Sequence, residues 1–192
     1  MNAERQLVVA ILAGNLSEVT RLIADGVDVN SKHEDSEGYS NRTPLIYAAK
    51  SGHVAIIKAL LSAGADHKAK DRYIMPSEGG GETALHHAVE GGHFDAVEAL
   101  IAAGANLNAK SGSETPLMAA IRLDDARMVR FLLENGANPN VHKDGFTALG
   151  RASLDGKVTI VRTLLKMGAD PDFQQPRWGT TYLMEAAERG NA

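Results

Sequence analysis

The sequence predicts an all-α repeat solenoid, a stack of short helix pairs, because two features recur along its 192 residues. One is a Thr-x-Leu opening and the other is a closing glycine. The openings begin at Thr43, Thr83, Thr115, Thr147 and Thr181, and the closing glycines are Gly26, Gly64, Gly104, Gly136 and Gly168. Thr83, Thr115 and Thr147 follow one another at intervals of 32 positions. Since each unit of such an array contacts only its neighbours, the repeat predicts one elongated stack.

The clearest unit covers residues 115–140. Thr115 can cap free backbone N–H groups and Pro116 is tolerated at the first helical position, so a helix begins here. Apolar residues recur at helical spacing over 128–133 and predict a second helix. Gly136 ends that helix, because glycine suits the left-handed conformation of a C-terminal cap. The unit is therefore predicted to be a complete helix pair.

The openings and the turns between paired helices carry a resemblance to a known family. Residues 43–52 read TPLIYAAKSG, and Gly-His turns end at His53 and His93. A period of about 33 residues with such an opening is typical of ankyrin repeats, and the chain resembles that family over almost its whole length. The resemblance implies antiparallel helix pairs with β-hairpin finger loops, in a single domain over residues 1–192. The implied repeats cover about 3–30, 43–70, 83–110, 115–141 and 147–173, with the first half of a sixth at 181–192.

Some positions depart from the family's pattern. Asp124 stands where other repeats have a glycine before the second helix, and we expect the turn to survive because Asp can adopt the left-handed conformation at modest cost. Gly150 and Arg151 replace a His and an apolar residue, which leaves the packing of that helix open. Apolar pairs at equivalent positions are expected in the core: Leu60-Leu61, Leu100-Ile101, Leu132-Leu133 and Leu164-Leu165.

Composition limits the kinds of site and partner. The chain has no cysteine, so it can form neither a disulfide nor a zinc-thiolate site. Its net charge of -4 argues against a general affinity for nucleic acid or anionic membranes. The apolar run at 7–13 lacks a basic leader and matches a capping repeat. We therefore expect a monomeric, cytoplasmic protein without signal peptide, transmembrane segment or cofactor, and with no nucleic-acid or membrane partner.

Patterns for catalysis and metal binding are absent from the sequence. It contains no GxxxxGK[ST] phosphate loop, no HExxH metal helix and no GxSxG nucleophile turn. His86, His87 and His93 form the densest histidine group, but adjacent residues on a helix point about 100° apart. In the family that the chain resembles, the residues matching His86 and His93 have structural roles. We therefore expect no enzymatic activity.

The ankyrin family binds proteins through the concave side formed by its fingers and first helices. The resemblance carries this role to the residue before each opening Thr and to the pair before each inter-helix turn. These candidate partner-binding residues are Arg42, Lys50, Glu82, Glu90, Glu114, Arg122, Leu123, Phe146, Leu154 and Asp155. Leu123, Phe146 and Leu154 are apolar, which a purely solvated face would seldom be.

Two fingers add further candidates. Tyr73, with Ile74 and Met75, either folds back onto the stack or contacts a partner. Arg177 and Trp178 belong to the residue types that most often anchor interfaces. The alternative for Trp178 is a structural role, in which it covers the flank of the incomplete sixth repeat.

Two functions fit these observations. The first is a non-catalytic protein-binding module that acts as an adaptor, inhibitor or scaffold, with another protein as its partner. The alternative is a targeting or regulatory module of a larger protein, whose catalytic or membrane domain lies beyond Ala192.

Overall fold

The computed structural model describes residues 2–34, 39–73, 81–112, 114–142, 145–174 and 179–190. Its contacts divide the chain into two compact units, Met1–Asn106 and Leu107–Ala192, and each is described by itself. The single domain predicted over residues 1–192 stays a prediction.

The first unit consists of helix pairs with short strands in the loops between them. The helices are α1 (Ala3–Leu12), α2 (Leu16–Ala24), α3 (Pro44–Lys50), α4 (Val54–Ser62), α5 (Ala84–Glu90) and α6 (Phe94–Ala102), and the strands are β1 (Tyr39–Ser40) and β2 (Arg72–Tyr73). The first helices α1, α3 and α5 pack in succession, and so do the second helices α2, α4 and α6. Each first helix also packs on its own second helix, which produces two layers.

The second unit repeats this arrangement. Its helices are α7 (Pro116–Arg122), α8 (Ala126–Glu134), α9 (Ala148–Leu154), α10 (Val158–Lys166) and α11 (Tyr182–Glu188). Helix α9 packs between α7 and α11 in one layer, and α8 packs on α10 in the other. The all-α repeat fold predicted from the sequence is thus confirmed.

Caps and turns form at the predicted residues. The Thr115 hydroxyl accepts a hydrogen bond from the Met118 N–H at 3.3 Å, and Pro116 is the first residue of α7. Asp124 has a φ of 60°, which confirms that it replaces glycine in the left-handed turn. The next residue, Asp125, caps α8 by accepting from the Met128 N–H at 2.9 Å. The helix boundaries are therefore set by local hydrogen bonds.

Not every residue of the predicted apolar pairs is buried in the core. The first member of each pair is buried: Leu60, Leu100, Leu132 and Leu164. Leu165 is 37% exposed, so its prediction as a core residue was wrong. Leu61 and Ile101 are half-buried, whereas Leu133 is 5% exposed and belongs to the core. Adjacent residues point about 100° apart around a helix, and three of the four second members therefore lie at the edge of the buried stripe.

The finger loops are closed by antiparallel backbone bridges. In the described residues these bridges pair His33 with Arg42, Lys70 with Thr83, Ser111 with Glu114 and Gln174 with Thr181. Strands β1 and β2 come from two successive fingers and pair with each other, Tyr39 opposite Tyr73 and Ser40 opposite Arg72. The sheet therefore joins neighbouring fingers, in addition to the hairpin pairing within each finger.

The structural use of the histidines is confirmed. His86 Nδ1 lies 2.9 Å from the Thr83 hydroxyl, within the first turn of α5. His93 Nε2 donates to the Lys50 carbonyl at 3.0 Å, and its ring occupies the space that a Cβ at Gly52 would need. Each of these rings therefore fixes a turn or a neighbouring repeat.

In the second unit a lysine makes the contact that His93 makes in the first. Lys157 stands at the equivalent turn position and donates to the backbone carbonyls of Ile121 and Arg122, the second at 3.2 Å. Its ammonium thereby satisfies carbonyls at the C-terminal end of α7, where a positive charge also interacts favourably with the helix dipole.

The packing at Gly150 has a specific cause. A Cβ built there would lie 2.5 Å from the ring of Tyr182, so the glycine makes room for this ring. The Tyr182 hydroxyl donates to the Gly145 carbonyl at 2.8 Å. The departure from the family's pattern at Gly150 is therefore matched by a tyrosine at the start of α11, the first helix of the next repeat.

Gly150→Ala is expected to destabilise the protein by about 1–3 kcal/mol, the usual cost of overpacking. In an exposed helix interior the same change would stabilise by about 1 kcal/mol. Ser153→Ala is the control in the same helix, because its buried hydroxyl has no hydrogen-bond partner in the described structure. Urea unfolding would measure both. A higher unfolding midpoint for Gly150→Ala would contradict the packing argument.

Candidate interaction surface

Arg42 does not lie on the surface where the sequence placed it. Its side chain is 2% exposed, and Nε donates to Asp71 Oδ2 at 3.2 Å. The guanidinium also lies 5.8 Å from the centre of the Tyr47 ring. A buried guanidinium requires a compensating charge, and Asp71 provides it. Arg42 therefore stabilises the first unit, and its prediction as a partner-binding residue is corrected.

Asp71 is the centre of this buried network. Its carboxylate accepts from His87 Nε2 at 2.8 Å and from the Glu82 N–H at 2.9 Å, in addition to Arg42. Burial alone would raise the pKa of Asp71. The hydrogen bonds with His87, Glu82 and Arg42, together with the electrostatic attraction of His87, outweigh burial and hold the pKa below its ordinary value of 3.8. Asp71 is therefore ionised at neutral pH.

The same cluster has the spacing of a metal site. Ligand atoms of Asp71, Glu82 and His87 lie within 4.8 Å of one another. The Arg42 guanidinium, however, already supplies a positive charge to Asp71 at 3.2 Å. A cation placed between the three ligands would be repelled by it, so the geometry fits an ion-pair network better than a metal centre.

The other candidates of the first unit occupy different environments. Lys50 and Glu90 are exposed at the C-terminal ends of α3 and α5. Glu82 is half-buried, with its carboxylate 3.5 Å from His87 Nε2. The backbone of Tyr73 belongs to β2, while its side chain lies outside the part that the structure describes, as do Ile74 and Met75.

The second unit contains a groove along its first helices. Glu114, Met118, Phe146, Thr147 and Arg151 line it, and its volume is about 160 Å³. Helices α7 and α9 pack side by side, and the lining residues belong to these helices or stand just before them. The Phe146 side chain is 50% exposed, and its ring centre lies 6.1 Å from that of Tyr182. The groove thus combines an apolar surface with one acidic and one basic side chain.

Ion pairs flank this groove on both helices. Glu114, just before α7, lies 3.4 Å from Arg122 at the end of that helix, and Arg151 on α9 lies 3.0 Å from Asp155 at its C-terminal cap. Lys157 lies 3.7 Å from the same carboxylate of Asp155. The α9 side therefore has two cations around one anion.

The three apolar candidates are only partly brought together. Phe146 lines the groove, whereas Leu123 and Leu154 are outside its lining, at the C-terminal ends of α7 and α9. Leu123 is 44% exposed and Leu154 is half-buried. Arg177 and Trp178 lie outside the described residues, so both alternatives for Trp178 stay predictions.

Comparison with known proteins decides the family. A family model described as Ankyrin repeats (3 copies) matches residues 3–71, 72–143 and 110–175. The chain belongs to the ankyrin repeat family. Among the described residues of this ankyrin protein, no helix has both the length and the apolar character needed to cross a membrane.

Individual relatives of this ankyrin chain are much longer proteins. A mitochondrial disaggregase of Homo sapiens is 33% identical over 85 residues, which is 44% of this chain and 11% of that protein. A histone-lysine N-methyltransferase EHMT1 of Mus musculus is 40% identical over 62 residues, 32% of this chain and 5% of that protein. The chain therefore spans only a small part of the curated relatives that it matches.

Sequence reasoning missed three residues of the groove, Met118, Thr147 and Arg151. The family's pattern predicts contacts at the residue before each opening Thr and at the pair before each inter-helix turn, and these three residues lie between those positions. A four-residue spacing was the available signal within the helices: it separates Met118 from Arg122 in α7, and Arg151 in α9 from Asp155, the residue at the C-terminal cap of that helix. Residues four apart on a helix share a face.

Proposed function

We propose that this ankyrin protein is a non-catalytic protein-binding module, an adaptor, inhibitor or scaffold that contacts its partner through its concave side and finger loops. The observation that carries the proposal is Phe146, a half-exposed aromatic side chain that lines a groove between α7 and α9. Exposed apolar surface bordered by polar side chains is typical of protein interaction sites.

The surroundings of Phe146 support this proposal. Aromatic and Arg side chains contribute most of the binding energy in many interfaces, and the groove has Arg151 beside Phe146. The neighbouring ion pairs Glu114–Arg122 and Arg151–Asp155 supply a polar rim. Lys50, Glu82 and Glu90 are proposed contacts in the first unit, together with Tyr73, Arg177 and Trp178 in the fingers.

The proposal also covers the setting of the interaction. We infer that the protein acts as a cytoplasmic monomer and uses no cofactor, nucleic acid or membrane. One of its relatives is a mitochondrial protein, so a fluorescent fusion of the full chain is the direct check on location. Light scattering of the purified chain would test the monomer.

Quantitative affinity capture with the full chain as bait tests the function. The double variant Leu123→Ala/Phe146→Ala is expected to lose captured partners, because interface anchors typically contribute about 2 kcal/mol or more each. Val9→Ala/Leu12→Ala, which also removes two exposed apolar side chains, is the matched control and should retain them. Equal capture by both double variants would reject the concave side of the second unit as the binding surface.

A second candidate function is favoured by the relatives. The similarity covers only 11% of the disaggregase and 5% of the methyltransferase, each of which carries a further activity in its name. This chain would then be the targeting or regulatory module of a larger protein. Whether the natural reading frame continues past Ala192 tests this alternative.

A further inference from the structure

We propose that the groove of the second unit binds one apolar side chain of a partner protein segment, and that Arg151 binds a carboxylate next to that side chain. The inference rests on the proposed function and names the chemistry of the partner. It commits to an acidic segment with an aromatic or branched aliphatic anchor.

The size and lining of the groove fit a single side chain. Its volume is about 160 Å³, and a protein cavity of about 150 Å³ is large enough to bind benzene. Phe146 offers a ring against which an aromatic side chain can stack or pack edge to face. Met118 of α7 also lines the groove, and a flexible thioether adapts to different apolar shapes.

The donors that remain on Arg151 fit a carboxylate. A guanidinium has five N–H donors, and the described contact of Arg151 uses only Nε, toward Asp155. The two Nη groups have no hydrogen-bond partner in the described structure, and the side chain is about half exposed. Two N–H groups in a plane match the two oxygens of a carboxylate.

The charges around the groove favour an acidic ligand over a basic one. On the α7 side, Glu114 already accepts from Arg122 at 3.4 Å, so the two charges balance. On the α9 side, Arg151 and Lys157 both lie near the single carboxylate of Asp155. The ion pairs that flank the groove therefore leave an excess of one positive charge, which attracts an anion.

Small probes test this chemistry on the full chain by titration in ¹H–¹⁵N NMR spectra. N-acetyl-L-phenylalanine carries both the ring and the carboxylate. N-acetyl-L-phenylalanine amide keeps only the ring, and N-acetyl-L-alanine keeps only the carboxylate. We expect the first probe to shift the amide signals of Met118, Thr147 and Arg151, and to bind roughly tenfold more tightly than either of the others.

Variants assign the effect to the groove. Arg151→Gln should remove the preference for the acid over the amide, and Phe146→Ala should weaken both ring-containing probes. Arg130→Gln makes the same chemical change at an exposed position on α8 and should leave binding unaltered. The dispersion of each spectrum shows that the variant is folded.

The outcomes separate this inference from the proposed function. Equal affinity for acid and amide, or an acid preference that survives Arg151→Gln, would overturn the role of Arg151. Absence of shifts at the groove would overturn the pocket itself. If Leu123→Ala/Phe146→Ala still loses its captured partners in that case, the protein-binding function stands and only the chemistry assigned to the groove is wrong.

Discussion

Asp71→Ala is expected to lower the free energy of unfolding by about 3–5 kcal/mol, because it removes the carboxylate that compensates a buried guanidinium. Arg42 is 2% exposed and its Nε lies 3.2 Å from Asp71 Oδ2. The variant also removes the acceptor of His87 Nε2 and of the Glu82 N–H. Urea unfolding at neutral pH would measure the loss.

Two controls test the cause of this effect. The double variant Arg42→Met/Asp71→Ala should recover much of the loss, because no buried charge is left without its counter-charge. Asp172→Ala, an exposed aspartate, should change stability by no more than about 0.5 kcal/mol. If Asp71→Ala lowered the free energy of unfolding as little as Asp172→Ala does, the buried pair would not hold the first unit together.

The same pair gives stability a defined pH dependence. Because the folded pKa of Asp71 is lowered, its contribution is present above the ordinary value of 3.8 and is lost as the pH falls through the folded value. The difference between the native chain and Asp71→Ala should therefore shrink below about pH 4. A difference that stays constant from pH 7 down to about pH 3 would contradict this account.

Leu132→Ala is expected to lower the free energy of unfolding by about 2–5 kcal/mol, the range for a leucine truncated in a packed core. The Leu132 side chain on α8 is fully buried, with 0% of its surface exposed. Because coupling in a repeat array passes between neighbours, amide exchange should accelerate more in α7–α10 than in α1 and α2.

Leu165→Ala on α10 is the matched control for Leu132→Ala. This side chain is partly exposed, so its truncation leaves a smaller cavity and should cause a clearly smaller loss. Two results would show that the buried stripe on the second helices is assigned wrongly. One is a thermal melt that Leu132→Ala leaves unchanged. The other is an equal loss of unfolding free energy in the two variants.

Most of the fold could be predicted from the sequence because its signals are local. A Thr-Pro opening, an apolar stripe and a closing glycine each act within one helix or turn, as Thr115, Pro116 and Gly136 show. The positions of the helices follow from these signals alone. Leu165 was harder to place, because its burial depends on how far a neighbouring helix covers it.

The interaction surface was less predictable, and Arg42 shows why. Its position before an opening Thr is equivalent to that of the half-buried Glu114 and of the half-exposed Phe146, yet its side chain is buried against Asp71, which is 29 positions away in the chain. Sequence spacing gives the position of a residue on the repeat. It does not give the partner that a later finger brings to it.

The sequence by itself determined the repeat, its helix pairs and the residues at its turns. The reason is that the hydrogen bonds and the apolar periodicity of each unit arise within about 33 neighbouring residues. Only the tertiary structure decided which side chains remain available to a partner. It buried Arg42 against Asp71, fitted Tyr182 over Gly150 and formed a groove between Met118, Phe146 and Arg151. Each of these contacts joins residues from different repeats or fingers, and such contacts exist only once the helices have packed.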